Sequence, residues 1–250
     1  MKKYKFLSVV IVCLIALPNL AVACDSAIKV TNSNNSGAGT LRQAILDLCS
    51  GGDISFSSEM NIVLTSRLSV NKDLSIFGNN LVTLDGENEA DGSRVEIMKI
   101  EDGVTAKIDG VIFYKGKASV NGGAISNWGN LTLNRVWFQQ NWTVLNGGAV
   151  WNRKSLTVTN SVFWYNTSNG EGGAIYNNST ASSLVLVNNT FWENRSGEPS
   201  GGTTDTIGSA SGKSSTVKLF NNLIHNGNHG SDTDCSSGFN SSSSHNWNFY

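Results

Sequence analysis

Three stretches decide the reading of this chain: Gly122-Gly123-Ala124-Ile125, Gly147-Gly148-Ala149-Val150 and Gly172-Gly173-Ala174-Ile175. Each is followed by a short alternating segment and then by Phe-x-x-Asn, at Phe138 to Asn141, Phe163 to Asn166 and Phe191 to Asn194. The phenylalanines advance by 25 and then 28 residues. Phe113 lies 25 residues before the first, Ile224 lies 33 after the last, and a degraded Gly pair stands at Gly201-Gly202. A fixed period of this length marks a stacked-repeat architecture.

Between the motifs, Leu131-Thr132-Leu133, Leu156-Thr157-Val158, Leu184-Val185-Leu186 and Val217-Lys218-Leu219 place apolar residues at i and i+2. Period two means strand, not helix. Each segment is too short to stand alone and has few side chains to bury. Stacking the repeats at the ~4.8 Å strand spacing solves both problems and turns the Phe and Leu/Val positions into continuous interior columns. Glycine falls where the coil turns sharply. Asparagine keeps the same period at Asn127, Asn152 and Asn177, at Asn160, Asn188 and Asn221, and at Asn141, Asn166 and Asn194. Same-type amides stacked along a solenoid hydrogen-bond up the stack. Asn130, Asn141 and Asn194 also sit in Asn-x-Ser/Thr sequences, but the ladder role is the expected one.

Outward from this core, Ile54-Ser55-Phe56, Ile62-Val63-Leu64, Leu68-Ser69-Val70, Leu74-Ser75-Ile76 and Val82-Thr83-Leu84 alternate in the same way. The most regular repeats cover 104–226, and one domain is expected over 24–250. At about 25 residues per coil this predicts about nine coils, roughly 40–45 Å long. A single segment, 40–50, departs from the β pattern. Leu41, Ala44, Ile45 and Leu48 have helical spacing, Thr40 and Gln43 fit a capping box, and Gly51 reads as the C-terminal stop. A short helix here would cover the first coil, whose edge would otherwise be open.

Residues 1–23 have the pattern of a secretory leader: Lys2, Lys3 and Lys5, an apolar run from Phe6 to Leu17, and the small-residue site Ala21-Val22-Ala23. Without those three lysines, 15 of the 18 basic residues face 19 acidic ones, a balance of −4. An acidic chain without a Lys/Arg run does not fit a nucleic-acid partner. No later segment is apolar enough to span a membrane as a helix. The expected location is the outer-membrane surface or outside of a bacterium. Cys24 directly follows the leader, so a lipid anchor and a disulfide are alternative uses of it. Cys49 is within reach of Cys24, whereas Cys235 belongs to the last coils. Cys24–Cys49 is the expected disulfide, with Cys235 free or bonded to another chain.

The paired Gly-Gly-Ala-Ile and Phe-x-x-Asn motifs resemble the polymorphic outer membrane protein repeats of chlamydial surface proteins. The stretch Ser36 to Ile45 is similar to the start of a wider group of secreted bacterial β-helix proteins. The resemblance covers about residues 27–240. It implies a right-handed parallel β-helix and an adhesive or structural role, facing a glycan or protein on a host or neighbouring cell. Chlamydial members end in an autotransporter barrel, for which this chain has no strand set.

Candidate chemistry is sparse. The alternative function is a polysaccharide-binding module or a polysaccharide-cleaving enzyme, and a lyase or glycoside hydrolase would need clustered carboxylates. Asp109, Glu171, Glu193, Glu198 and Asp205 occupy different phases of the repeat. Asp85, Glu87, Glu89 and Asp91 with Arg94 are close, in an expected loop between rungs. His225, His229, Asp232 and Asp234 have ligand chemistry without a fixed spacing. No catalytic residue, metal or cofactor is expected. The aromatics suggest binding instead. Trp151 and Tyr176 share one column, and Trp164 and Trp192 share another directly after the inward Phe. By strand alternation the second column faces out. Together the four residues form the expected aromatic stripe for sugar rings or a protein.

Overall fold

The computed structural model describes residues 24–178, 182–197, 206–210 and 216–225, and the backbone of 244–248. The leader, Cys235, His229, Asp232 and Asp234 lie outside the described residues. The chain is all-β, a parallel β-helix of about six turns with one short helix. Each turn visits three faces. The first stacks Asp25–Val30, Leu48–Phe56, Leu74–Asp85, Thr105–Tyr114, Asn130–Asn134, Ser155–Thr159, Ser183–Val187, Thr216–His225 and Ser244–Asn248. The second stacks Met60–Val63, the later halves of the three long strands, and Trp137–Gln139, Val162–Trp164 and Thr190–Trp192. The third stacks Leu68–Val70, Met98–Ile100, Ile125–Asn127, Val150–Asn152, Ile175–Asn177 and Ile207–Ser209. Every pairing among the described strands is parallel except the hairpin of Glu87–Asn88 with Ser93–Arg94.

Nine coils are expected; among the described residues nine strands stack on the first face and six third-face strands complete a turn. At the N-terminal end Asp25–Val30 and Leu48–Phe56 stack on the first face with no third-face strand between them.

One hydrophobic core runs from Val30 to Ile224. Its spine is the phenylalanine column: Phe113, Phe138, Phe163 and Phe191 stack at 4.8, 4.7 and 4.6 Å with interplanar angles of 12°, 15° and 11°. The Gly pair divides its labour. Gly147 has φ +73°, a conformation that needs no Cβ, while a Cβ on Gly148 would meet the Gly173 carbonyl and come within 2.6 Å of Thr167 N.

Amides hold the corners. Asn141 Nδ2 donates to Asn166 Oδ1 (2.8 Å) and Phe113 O (3.1 Å), and Asn166 Nδ2 donates to Asn194 Oδ1 (2.9 Å). Asn127 and Asn152 donate up a second ladder, to Asn152 and Asn177, at 2.7 Å each. Both ladders are fully buried. The third, Asn160, Asn188 and Asn221, is exposed and has φ of 52–56°, so there asparagine also fits a left-handed turn. A fourth ladder was not anticipated: Ser161 N donates to Asn189 Oδ1 (2.9 Å) and Asn189 Nδ2 to Asn222 Oδ1 (2.9 Å).

The helix is shorter than its sequence pattern, Leu41–Asp47 instead of 40–50. Leu48 N–H still bonds Ala44 O, but Leu48 is already paired with Asp25, and strand begins there. Gly51, φ +83°, sits inside Leu48–Phe56, in the irregular stretch where the register jumps by several residues, instead of closing the helix. Only half of the capping box forms. Thr40 Oγ1 accepts from Gln43 N, while Gln43 Nε2 turns to Asp47. Lys72 Nζ meets the last turn's carbonyls at Leu46 (2.8 Å) and Leu48 (2.9 Å), as a cation at a helix C-terminus should. Leu41, Ala44 and Ile45 join the core, so the helix closes the first turns as expected. Cys24 and Cys49 form the expected disulfide, with Cα atoms 4.9 Å apart.

Candidate functional site

Strand alternation fixes what the second face shows to solvent. With Phe113, Phe138, Phe163 and Phe191 inward, the residues on either side of each point out. Register sorts them into two columns. One is Asn61, Thr83, Ile112, Trp137, Val162, Thr190 and Leu223. The other is Val63, Asp85, Tyr114, Gln139, Trp164, Trp192 and His225.

Trp164 and Trp192 are 37% and 42% exposed, as alternation demands. They do not form one flat stack. Trp164 meets Tyr165 edge-on at 5.0 Å, and Trp192 lies against His225 at 4.1 Å. Trp137, 46% exposed in the neighbouring column, belongs to the same surface and was missed. Its signal was available, since it precedes the inward Phe138, but Val162 and Thr190 at the equivalent positions hide the pattern.

Trp151 and Tyr176 do not belong to this surface. They are 6% and 7% exposed and lie on the third face, whose strands are buried on both sides. Trp151 packs on Trp128 at 5.3 Å, and burial, with Glu171 close by, raises the Tyr176 hydroxyl's pKa above its ordinary value. The expected four-residue stripe therefore loses half its members.

Between the two columns lies a groove of about 530 Å³, bordered by Asn61, Thr83, Asp85, Glu89, Ile112, Tyr114, Gln139, Gln140 and Trp164. A second hollow of about 470 Å³, lined by Asn80, Ile112, Arg135, Trp137, Gln139 and Asn160, shares Ile112 and Gln139 with it. The acidic run forms one end of the groove, and it is a hairpin with divided roles. Glu87 binds Arg94 Nη2 (2.5 Å) and Lys115 Nζ, which hold its carboxyl below the usual range. Asp91 accepts from Ser93 N (2.8 Å) and closes the turn. Asp85, 5% exposed, accepts from Glu87 N (2.9 Å); burial pushes its carboxyl up against the pull of that bond and of Asn61. Asp85 and Glu89 alone of the run reach the groove.

Among the described residues no group of three His, Cys, Asp or Glu is placed to hold a metal. His225 instead stacks on Trp192 and lies 4.0 Å from Glu193. The groove offers ring surfaces, amides, a hydroxyl, the shielded Asp85 carboxyl and the exposed Glu89 carboxyl: apolar patches interleaved with hydrogen-bonding groups, the lining of a small-molecule or sugar site. No helix among the described residues is long and apolar enough to cross a membrane. No protein-family model matches the chain, and no curated protein matches it.

Proposed function

We propose that the chain is an exported bacterial β-helix with a non-enzymatic, adhesive role, and that its second face carries the adhesion by binding saccharide on a neighbouring surface. One observation carries the reading: large aromatic side chains stand in solvent beside amides and hydroxyls, around a groove built by strict strand register. Sugar rings present apolar faces and hydroxyl edges, which this mixture matches. The leader pattern of residues 1–23 and the Cys24–Cys49 bond suit an oxidising compartment, and the disulfide occupies the sulfur a lipid anchor would need. The resemblance to polymorphic outer membrane protein repeats points the same way.

The test is binding of residues 24–250 to a broad array of immobilised glycans, alongside Trp137→Ala and Trp164→Ala. Specific binding that both variants lose supports the reading. Absence of binding, or binding indifferent to both tryptophans, refutes it. The alternative, polysaccharide cleavage, is favoured by one observation, the presence of both Asp85 and Glu89 at the groove. Two carboxyl groups flanking a glycosidic bond are the usual apparatus for hydrolysis. Mass-spectrometric sizing of polysaccharides after incubation decides it, since a binder leaves chain length unchanged.

A further inference from the structure

We propose that the groove takes an extended, uncharged, 1,4-linked glycan whose long axis runs parallel to the solenoid axis; the inference rests on the saccharide-binding reading above. Direction comes first. The lining residues fall on five successive turns: Asn61, then its register partner Thr83 beside Asp85, then Ile112 beside Tyr114, then Gln139 and Trp164. Four steps of ~4.8 Å make the groove about 19 Å long. Across, it lies between two columns that are two residues apart on a strand, about 7 Å. A cleft nearly three times longer than wide, aligned with the stack, selects a linear ligand.

An extended peptide that adds as a strand has the right shape but the wrong chemistry. Such a peptide docks by pairing with a free sheet edge. Here each strand beneath the groove is paired along the stack, so its backbone groups are already engaged. Recognition is left to side chains, namely the Asn61 and Gln139 amides, the Thr83 hydroxyl and the rings of Tyr114 and Trp164. Sugar hydroxyls and ring faces need such partners. An extended β-1,4-linked chain also advances per ring by close to one rung of the sheet, so each ring would meet an equivalent place on the next turn. A coiled α-1,4-linked chain would leave the surface.

Charge removes acidic polymers. Asp85 and Glu89 border the groove, and the cations around it are already engaged: Lys115 and Arg94 bind Glu87, and Arg135 binds Asp109. A uronic-acid chain would meet like charge with no free counter-charge.

Calorimetric titration of residues 24–250 with cello-oligosaccharides from disaccharide to hexasaccharide, with malto-oligosaccharides of equal length and with oligogalacturonides, tests this. Affinity should climb at least tenfold through the cello-tetrasaccharide and level off beyond it. The malto and galacturonate series should bind weakly. Trp164→Ala should erase the gain from the last ring while leaving disaccharide binding. Affinity indifferent to length, or tightest for either control series, overturns the alignment and composition argued here, yet leaves the saccharide reading standing if Trp164→Ala still weakens it. No binding to any series with a positive glycan array also overturns the inference alone; a negative array overturns both.

Discussion

Replacing Asn166 with Ala separates a buried amide ladder from a decorative one. Asn166 Oδ1 accepts from Asn141 N (3.1 Å) and Asn141 Nδ2 (2.8 Å), while its Nδ2 donates to Phe138 O (3.0 Å) and Asn194 Oδ1 (2.9 Å). The substitution removes all four. Two of the groups left behind keep another partner: Asn141 Nδ2 retains Phe113 O, and Asn194 Oδ1 retains Asn166 N. The Asn141 N–H loses the bond that served it at the corner, while the Phe138 carbonyl keeps its partner in the strand ladder. At about 1–3 kcal/mol for one orphaned buried group, the expected loss is about 1–3 kcal/mol. Asn134→Ala is the control. It also breaks three hydrogen bonds, with Asp109, Thr159 and Asn160, but on the half-buried outer side of its strand, where water can replace them, so its loss should stay below ~1 kcal/mol. Urea unfolding followed by far-ultraviolet circular dichroism and by tryptophan fluorescence gives both values and checks that the probes coincide, since stacked repeats can unfold piecewise. If Asn166→Ala loses no more than Asn134→Ala, the ladder does not hold the corners.

Three further substitutions probe the frame. Gly148→Ala puts a methyl against the Gly173 carbonyl and Thr167 backbone, neither of which can swing aside; a loss of at least ~2 kcal/mol in urea melts is expected. Cys49→Ser opens a covalent loop of 25 residues, for which chain entropy sets about 3.5 kcal/mol, and reduction of the wild type should shift its urea midpoint equally. Glu96 accepts from Ser126 Oγ and Arg67 Nη1, yet burial holds its carboxyl above the ordinary value. The folded state thus keeps this proton more tightly than the unfolded chain, and its contribution to stability declines as pH rises from the ordinary carboxyl range through the raised value. Glu96→Gln retains an acceptor for Ser126 and should remove that decline from a plot of Tm against pH.

What the sequence makes legible follows from where each residue sits. The interior columns are legible because they repeat the same residue: Phe over Phe, Asn over Asn, at a period that survives insertions of three residues. Cys24–Cys49 was legible because only those two cysteines share one end of the stack. The helix end was not, since Gly51 serves equally as a helix stop or as an irregularity in a strand, and pairing of Leu48 with Asp25 decides between them. The burial of Trp151 and Tyr176 was hidden because strand alternation predicts one exposed side, whereas these third-face strands are buried on both. Asp85 at the groove depends on its register with Tyr114, set by early turns whose length departs from the repeat. The fourth ladder escaped because it opens on Ser161, leaving only Asn189 and Asn222 to match in type.

The two sides of the second face obey different rules, and that contrast bears on function. Inward positions must match from turn to turn because their rings stack at 4.6–4.8 Å. Outward positions on the same strands carry no such demand: Gln139 and Thr190 occupy the same columns as Trp164 and Trp137. Folding alone therefore has no need of tryptophan there. The consequence is measurable in the triple variant Trp137→Thr, Trp164→Gln and Trp192→Gln. No ring contact involves Trp137 among the described residues, so its replacement should stay within about 0.5 kcal/mol. Trp164 and Trp192 each forfeit one aromatic contact, to Tyr165 and His225, worth about 0.5–1.5 kcal/mol apiece. The sum should remain below about 4 kcal/mol, while Trp151→Ala, on the buried third face, should cost about 3–5 kcal/mol by itself. A triple variant that melts close to the wild type but no longer binds glycan assigns the three rings to recognition. A triple variant that loses much more than this sum, or fails to fold, makes them structural, and the saccharide reading of this face falls with them.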